Sequence, residues 1–289
     1  MKRVPLTLFW ILTATAVCSA QTTFYYPHVA NGVLGPNIWK TTIFLTNPGA
    51  STTTASGTIA FTQDNATAAT AGSPLNIRFT DEDGAVSTGN ITFSILGGQT
   101  KKYVSAGTGT YAGGFATVST TTGTVGGTAI FSEFDLGNRL IAEAGVPAVN
   151  AVPRQAIFVD TVGGYNIGVA YANPGASAAS VSLSLLNAAA VSVATTNQTL
   201  GPGNHAAAFT FQMFPTARQL AGSMQITSST PLAAIALRFD PTFTVFTTLP
   251  PVTLASLISP AIEWFEQRPW MMPLTSVARL LGAFHIRMG

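Results

Sequence analysis

The 289-residue chain holds 13 Lys or Arg, 11 Asp or Glu and one Cys, and charged residues make up only 8% of it. So little charge excludes a disordered acidic or basic protein and a nucleic-acid binder with a basic stripe, and one Cys excludes a disulfide-built mini-domain. What remains, with 47% apolar residues, 42 Ala, 41 Thr and 27 Gly, is a Thr/Ala/Gly-rich, mainly β protein with material for two ordinary cores.

Lys2-Arg3 supplies a short positive start, an apolar stretch runs from Val4 to Val17, and Cys18-Ser19-Ala20 places small residues at −3 and −1 of a cut after Ala20. This pattern predicts a secretory signal peptide over 1–20 and an extracellular, secreted or cell-surface protein, the apolar run being too short for a comfortable membrane span. Cys18 as a lipid attachment site fits poorly, because Val17 stands where a small residue is expected. Loss of Lys2 and Arg3 with the leader leaves 11 basic against 11 acidic residues, so net charge says nothing about partners. The mature chain has no cysteine and must stand on packing alone, which suits a bacterial secreted protein.

The next feature along the chain is repetition. Thr41–Ala50, ending Asn47-Pro48-Gly49-Ala50, is echoed by Ile167–Ala176, ending Asn173-Pro174-Gly175-Ala176. In both, Pro stops strand pairing and Gly permits a turn. Leu96-Gly97-Gly98 parallels Leu200-Gly201-Pro202-Gly203, and Gly114 through Asp135 parallels Gly222 through Asp240. Leu96 to Asp135 spans 39 residues and Leu200 to Asp240 spans 40. Asn47 to Leu96 spans 49 residues against 27 for Asn173 to Leu200, so the first copy carries about 22 extra residues, placed within Thr62–Thr88.

Within each copy the period is two. Ile91, Phe93 and Ile95 alternate with Thr92 and Ser94; Val181, Leu183 and Leu185 alternate with Ser182 and Ser184; Phe209 and Phe211 flank Thr210. Turn signals every 8–15 residues, without helical patterns between them, predict an all-β chain of two tandem antiparallel β-sandwich domains, 21–147 and 153–251. The join, Ala144–Arg154 with Pro147 and Pro153, is short enough for the two to touch. Residues 252–289 change composition and predict a helical or disordered tail. Ser259-Pro260 could start a helix through Gln267, and Val277, Leu280, Leu281 and Phe284 share one helical face. That tail could pack on the second domain or bind a partner or membrane surface, but Glu263, Glu266, Arg268, Pro269 and Pro273 exclude a membrane span.

Few groups carry chemistry. His28, His205 and His285 share no helical i, i+4 spacing, so structural or surface roles are expected. No Gly-x-Ser-x-Gly elbow or phosphate loop appears; Gly107-Thr108-Gly109 and Gly113-Gly114 lie among strands. Asp81, Glu82 and Asp83, before Gly84, are weak candidates for Ca²⁺, although no Glu closes an EF-hand loop and a solvated turn is the alternative. Glu133 and Asp135 lie two apart on one strand, as paired carboxylates of a glycosidase would, yet Asp240 repeats Asp135 at the same landmark, which favours a turn role. Tyr25, Tyr26, Trp39, Tyr103, Tyr111, Tyr165 and Tyr171 could line a sugar-stacking strip or fill the core. Asn65, Asn90 and Asn197 begin Asn-x-Thr sequons.

The set His28-Val29-Ala30, Trp39-Lys40-Thr41-Thr42-Ile43, Asn47-Pro48-Gly49, Glu143-Ala144-Gly145-Val146-Pro147 and the second Asn173-Pro174-Gly175 resembles a group of uncharacterised secreted proteins of soil bacteria. The resemblance covers about 24–250; it implies an immunoglobulin-like fold and carries over no activity. The expectation is a secreted, non-catalytic protein for adhesion, glycan contact or extracellular assembly, without nucleic acid, with cell-wall or extracellular glycan or protein partners. A nearly uncharged exterior also favours self-association. The competing expectations are an extracellular hydrolase using Glu133 and Asp135 or the 81–83 carboxylates, and a subunit of a surface filament or layer.

Overall fold

Alternating strands of this kind must bury one face, and the chain does so throughout. A computed structural model describes residues 22–65 and 67–255. The leader with its cut at Ala20, Cys18, and the helices expected over 259–267 and 276–286 lie outside the described residues. The described chain is all-β, and every ladder between its strands is antiparallel.

The first half contains β1 (Thr23–Leu34), β2 (Asn37–Thr46), β3 (Thr54–Gln63), β4 (Ser73–Pro74), β5 (Arg78–Asp81), β6 (Val86–Thr88), β7 (Ile91–Leu96), β8 (Thr100–Ser105), β9 (Ala112–Thr122), β10 (Gly126–Asp135) and β11 (Leu140–Pro147). The second contains β12 (Val152–Asp160), β13 (Asn166–Ala172), β14 (Ala179–Asn187), β15 (Ser192–Leu200), β16 (His205–Phe209), the one-turn helix α1 (Thr210–Met213), β17 (Ala221–Phe239), β18 (Phe246–Leu249) and β19 (Val252–Thr253). β1–β11 pair among themselves and β12–β19 among themselves.

In the first half, β7, β3, β9 and the start of β1 form one run of partners, and β11, β10, β2, β8, β5 and β6 form another. β1 belongs to both, pairing β9 through Asn31 and β2 from Gly32. In the second half β17 has this double role. It pairs β14 through Ser228 and β12 through Leu232, and then β13 from Ala233 and β18 from Ala236. The change of partners falls between Leu232 and Ala233, just after Pro231, which has no N–H to give a ladder.

Six pairings recur in the two halves. β1–β9, β3–β9, β3–β7, β2–β8, β2–β10 and β10–β11 correspond to β12–β17, β14–β17, β14–β15, β13–β16, β13–β17 and β17–β18. The first-half strands without a counterpart, β4, β5 and β6, lie in 62–88, and Leu75, Ile77 and Phe79 there are buried. The join is pinned, since Tyr25 and Val149 exchange both backbone hydrogen bonds at 2.9 Å.

The turn landmarks work through their side chains. Asn47, buried, donates from Nδ2 to the Ile95 carbonyl at 2.8 Å and accepts the Gly49 N–H at 2.8 Å. Asn173, fully buried, donates to Ser177, Leu200 and Gly201 carbonyls at 2.8, 3.1 and 3.1 Å and accepts the Gly175 N–H at 3.0 Å. Each Asn therefore ties its Pro-Gly turn to the strand that ends at Leu96 or Leu200.

Two local expectations are corrected. Phe209, Thr210 and Phe211 do not continue as strand: β16 ends at Phe209 and α1 follows, with Gln212 Oε1 accepting the Phe209 N–H at 2.8 Å. Three alternating residues are too few to separate a strand from a turn of helix. The sheet also reaches past 251, because Val252 and Thr253 pair with Ala156 and Gln155.

Candidate binding cleft

Two strands that carry the sequence candidates, β2 and β10, run side by side, with Glu133 opposite Trp39. On β10, Glu133 is in phase with the buried Ala129 and Phe131, so its carboxylate goes where an apolar side chain would sit; only 4% of the residue is exposed. Asn37 Nδ2 donates to Oε1 of Glu133. Burial holds this carboxyl above its ordinary value, since the charged form is the one that loses solvation.

Glu133 lines a cleft of about 570 Å³ between the two halves. Trp39, Tyr111 and Phe131 face it from the first half and Phe209, Phe239 and Phe243 from the second. These rings touch in sequence. Trp39 meets Tyr111 edge-on at 6.4 Å and stacks on Phe131 at 4.8 Å, while Phe246 links Phe131 (5.7 Å) to Phe239 (5.1 Å), and Phe209 meets Phe239 and Phe243 at 5.2 and 5.4 Å. A concave, mainly apolar site of about 300–1,000 Å³ with a few placed polar groups is the usual form of a small-molecule pocket.

Phe243 is the most telling of these residues. It sits at φ 59° and is 41% exposed, in a turn stapled by Asp240, whose carboxylate accepts from Thr242, Thr244 and Val245 N–H at 3.1, 2.8 and 2.7 Å. The Thr242 hydroxyl and those N–H groups hold the Asp240 carboxyl down to about 2. In the first half, Asp135 staples the matching turn through Arg139, and Asn138 takes the positive φ of 61°. Asn tolerates that conformation; Phe does not, at about 1 kcal/mol or more. The strained ring packs on Phe209 and Phe239 at 5.4 and 5.9 Å and stays half-exposed at the lip of the cleft.

Beneath the cleft lies a contact absent from the sequence reading. His28 of β1 and His205 of β16 meet with Nδ1 and Nε2 3.5 Å apart, and Asp64 Oδ2 stands 3.7 Å from the far His205 nitrogen. Both rings are buried, and His28 also packs edge-on against Phe131 at 4.8 Å. Burial, and His205 beside it, push the His28 imidazole down to about 3, with Asp64 opposing. The sign follows. The unfolded chain takes up this proton near pH 6.5 and the folded one only near 3, so the contribution is complete above about 6.5 and is lost as pH falls. Between neutrality and about pH 5 the protein is expected to lose up to about 2 kcal/mol, and His28→Phe to flatten that loss in urea melts at the two pH values.

The same region is clasped by the extra segment of the first half. Asn204 accepts the Asn65 N–H at 2.9 Å and donates to the Thr67 and Ala68 carbonyls at 3.3 and 3.0 Å. Gly201 N–H donates to Ala68 at 2.7 Å, and Gly72 N–H to Pro202 at 3.0 Å. A Cβ on Gly201 would lie 1.9 Å from the Thr70 oxygen, and one on Gly72 1.8 Å from the Gly203 oxygen, so both glycines are required by backbone approach.

The other sequence candidates do not converge. Asp135 is committed to its turn and to Arg139, so it is not the partner acid of Glu133. Asp81 staples its own turn, accepting the Asp83 and Ala85 N–H groups at 3.0 and 2.8 Å. Glu82 and Asp83 hold Lys101 Nζ at 2.8 and 2.7 Å. An ammonium thus occupies the place proposed for calcium, and among the described residues no three His, Cys, Asp or Glu are grouped to hold a metal ion. Of the aromatics, Trp39 and Tyr111 reach the cleft. Tyr26, Tyr103 and Tyr171 are core, and Tyr165 lies 3.4 Å from the Arg238 guanidinium carbon. His285 lies outside the described residues. Among the described residues no helix is long and apolar enough to cross a membrane. No protein-family model, curated protein or solved structure matches the chain.

Proposed function

We propose that the chain is an exported, non-catalytic binding protein, built of two tandem sandwiches of immunoglobulin-like type and using the cleft between them to hold a small ligand. Of the extracellular roles open to it, adhesion, glycan contact or assembly, ligand contact is the one the cleft favours. The resemblance to secreted proteins of soil bacteria, the leader pattern at 1–20 and the recurrence of six pairings support the placement and the architecture. The observation that carries the function is Phe243, held at φ 59° where the other half has Asn138. Strain kept against stability, at the mouth of an aromatic-lined hollow, is explained by contact with a ligand.

The test sets stability against binding. Small neutral aromatic compounds, tert-butylbenzene among them, are titrated calorimetrically into the mature chain and into Phe243→Asn. The variant is expected to bind about ten-fold more weakly, from loss of one ring contact, while its Tm holds or rises by a few degrees as the strain is relieved. If no compound binds, or Phe243→Asn binds as tightly as the parent, the reading fails.

A hydrolase is the second reading, favoured by Glu133, whose raised carboxyl could act as an acid beside His28 in the same cleft. It lacks a second acid, since Glu133 is the one carboxylate among the described residues that line the cleft. Hydrolysis abolished by Glu133→Ala would establish it.

A further inference from the structure

Resting on that reading of the cleft, we propose that its ligand is an organic cation: an ammonium-type head held against Glu133, with an apolar body lying across the aromatic wall. Three observations converge on this chemistry. The first is charge. Neither Lys nor Arg is among the described residues that line the cleft, and its histidine, His28, stays uncharged because burial opposes protonation. Glu133 is therefore an acid without a countercharge.

The second is its lone position. Glu133 is 96% buried, and Asn37 is its one hydrogen-bond donor among the described residues, which leaves the other carboxylate oxygen without a protein partner. An ionised carboxylate in that position is costly until a cation arrives to pair with it. The third is the wall itself. Trp39, Phe131, Phe209 and Phe239 line it, and aromatic rings attract a cation as well as apolar surface.

A sugar fits less well. It would need several free donors and acceptors on a wall that is mainly apolar, and two of the polar side chains at its mouth are already engaged. Gln212 Oε1 accepts from Phe209, and the Thr242 hydroxyl engages Asp240 and Thr244.

The experiment compares two probes of the same shape, trimethylphenylammonium and its neutral isostere tert-butylbenzene. Both are titrated calorimetrically into the mature chain and into Glu133→Gln, a variant that keeps the acceptor for Asn37 and whose fold is checked by its melting curve. The parent is expected to prefer the cation by about ten-fold, and Glu133→Gln to bring the two within about two-fold. Equal binding of the two by the parent, or tighter binding of the neutral compound, overturns the cation while leaving the cleft as a binding site. A preference that survives in Glu133→Gln also overturns it, because the charge would then be read elsewhere. Binding of neither probe overturns this proposal and the reading of the cleft together.

Discussion

Asn173→Ala is expected to destabilise the protein by about 3–4 kcal/mol, and Asn47→Ala by about 2 kcal/mol. The two residues occupy matching turns, so propensity and position are the same, and the difference lies in what each side chain satisfies. Asn173 is fully buried and serves three carbonyls and one N–H, whereas Asn47 serves one carbonyl and one N–H. Truncation removes those bonds in a site closed to water; the Gly201 carbonyl keeps the Asn204 N–H, and each group left an orphan costs about 1–3 kcal/mol before relaxation. Urea denaturation of the two variants, with unchanged m-values, checks the ranking. Equal losses would mean that the extra bonds of Asn173 contribute nothing.

Gly201→Ala is expected to cost about 3 kcal/mol, near the upper end for added bulk, and to loosen the clasp between the halves. The obstacle is backbone: the new methyl would sit 1.9 Å from the Thr70 oxygen, and the Gly201 N–H bond to Ala68 would have to break for it to move away. Gly203→Ala is the control. Gly203 has φ 62° and its Cβ would meet nothing closer than 4.0 Å, so that substitution is strained but not blocked and should cost only about 1 kcal/mol. Limited proteolysis at 67–72 distinguishes them, with faster cleavage expected in Gly201→Ala alone.

Much of the sheet structure was legible in the chain. Ile91–Ile95 and Val181–Leu185 bury their apolar members and leave the hydroxyl-bearing ones exposed or half-buried, because a pleat offers a side chain only two faces. Asn47 and Asn173 were visible as turn markers, but their role as buried ties was not, since it depends on carbonyls 27 to 48 residues away. Glu133 was visible as a carboxylate, and its phase with Ala129 and Phe131 was a usable sign that it faces inward. Its pairing with Asp135 was misleading, because two residues on one face still differ when the second lies at the strand's end and is taken by a turn.

The cleft itself was illegible for a physical reason. Its rings come from both halves, and no local period reports which apolar residues of one half face those of the other. His28 and His205, 177 residues apart, meet only because β1 and β16 abut. The positive φ of Phe243 is likewise invisible, for nothing in Asp240-Pro241-Thr242-Phe243 announces that the ring residue takes the left-handed position that Asn138 takes in the other copy.

The 19 residues of β17 give the two copies unequal mechanical character. Where the first half hands over from β9 to β10 through residues 123–125, outside any strand, the second runs one uninterrupted strand from ladder to ladder. A pull along the first copy can therefore detach β9 and β10 from their ladders one after the other. In the second the two ladders share one strand, so a pull along β17 loads both of them together.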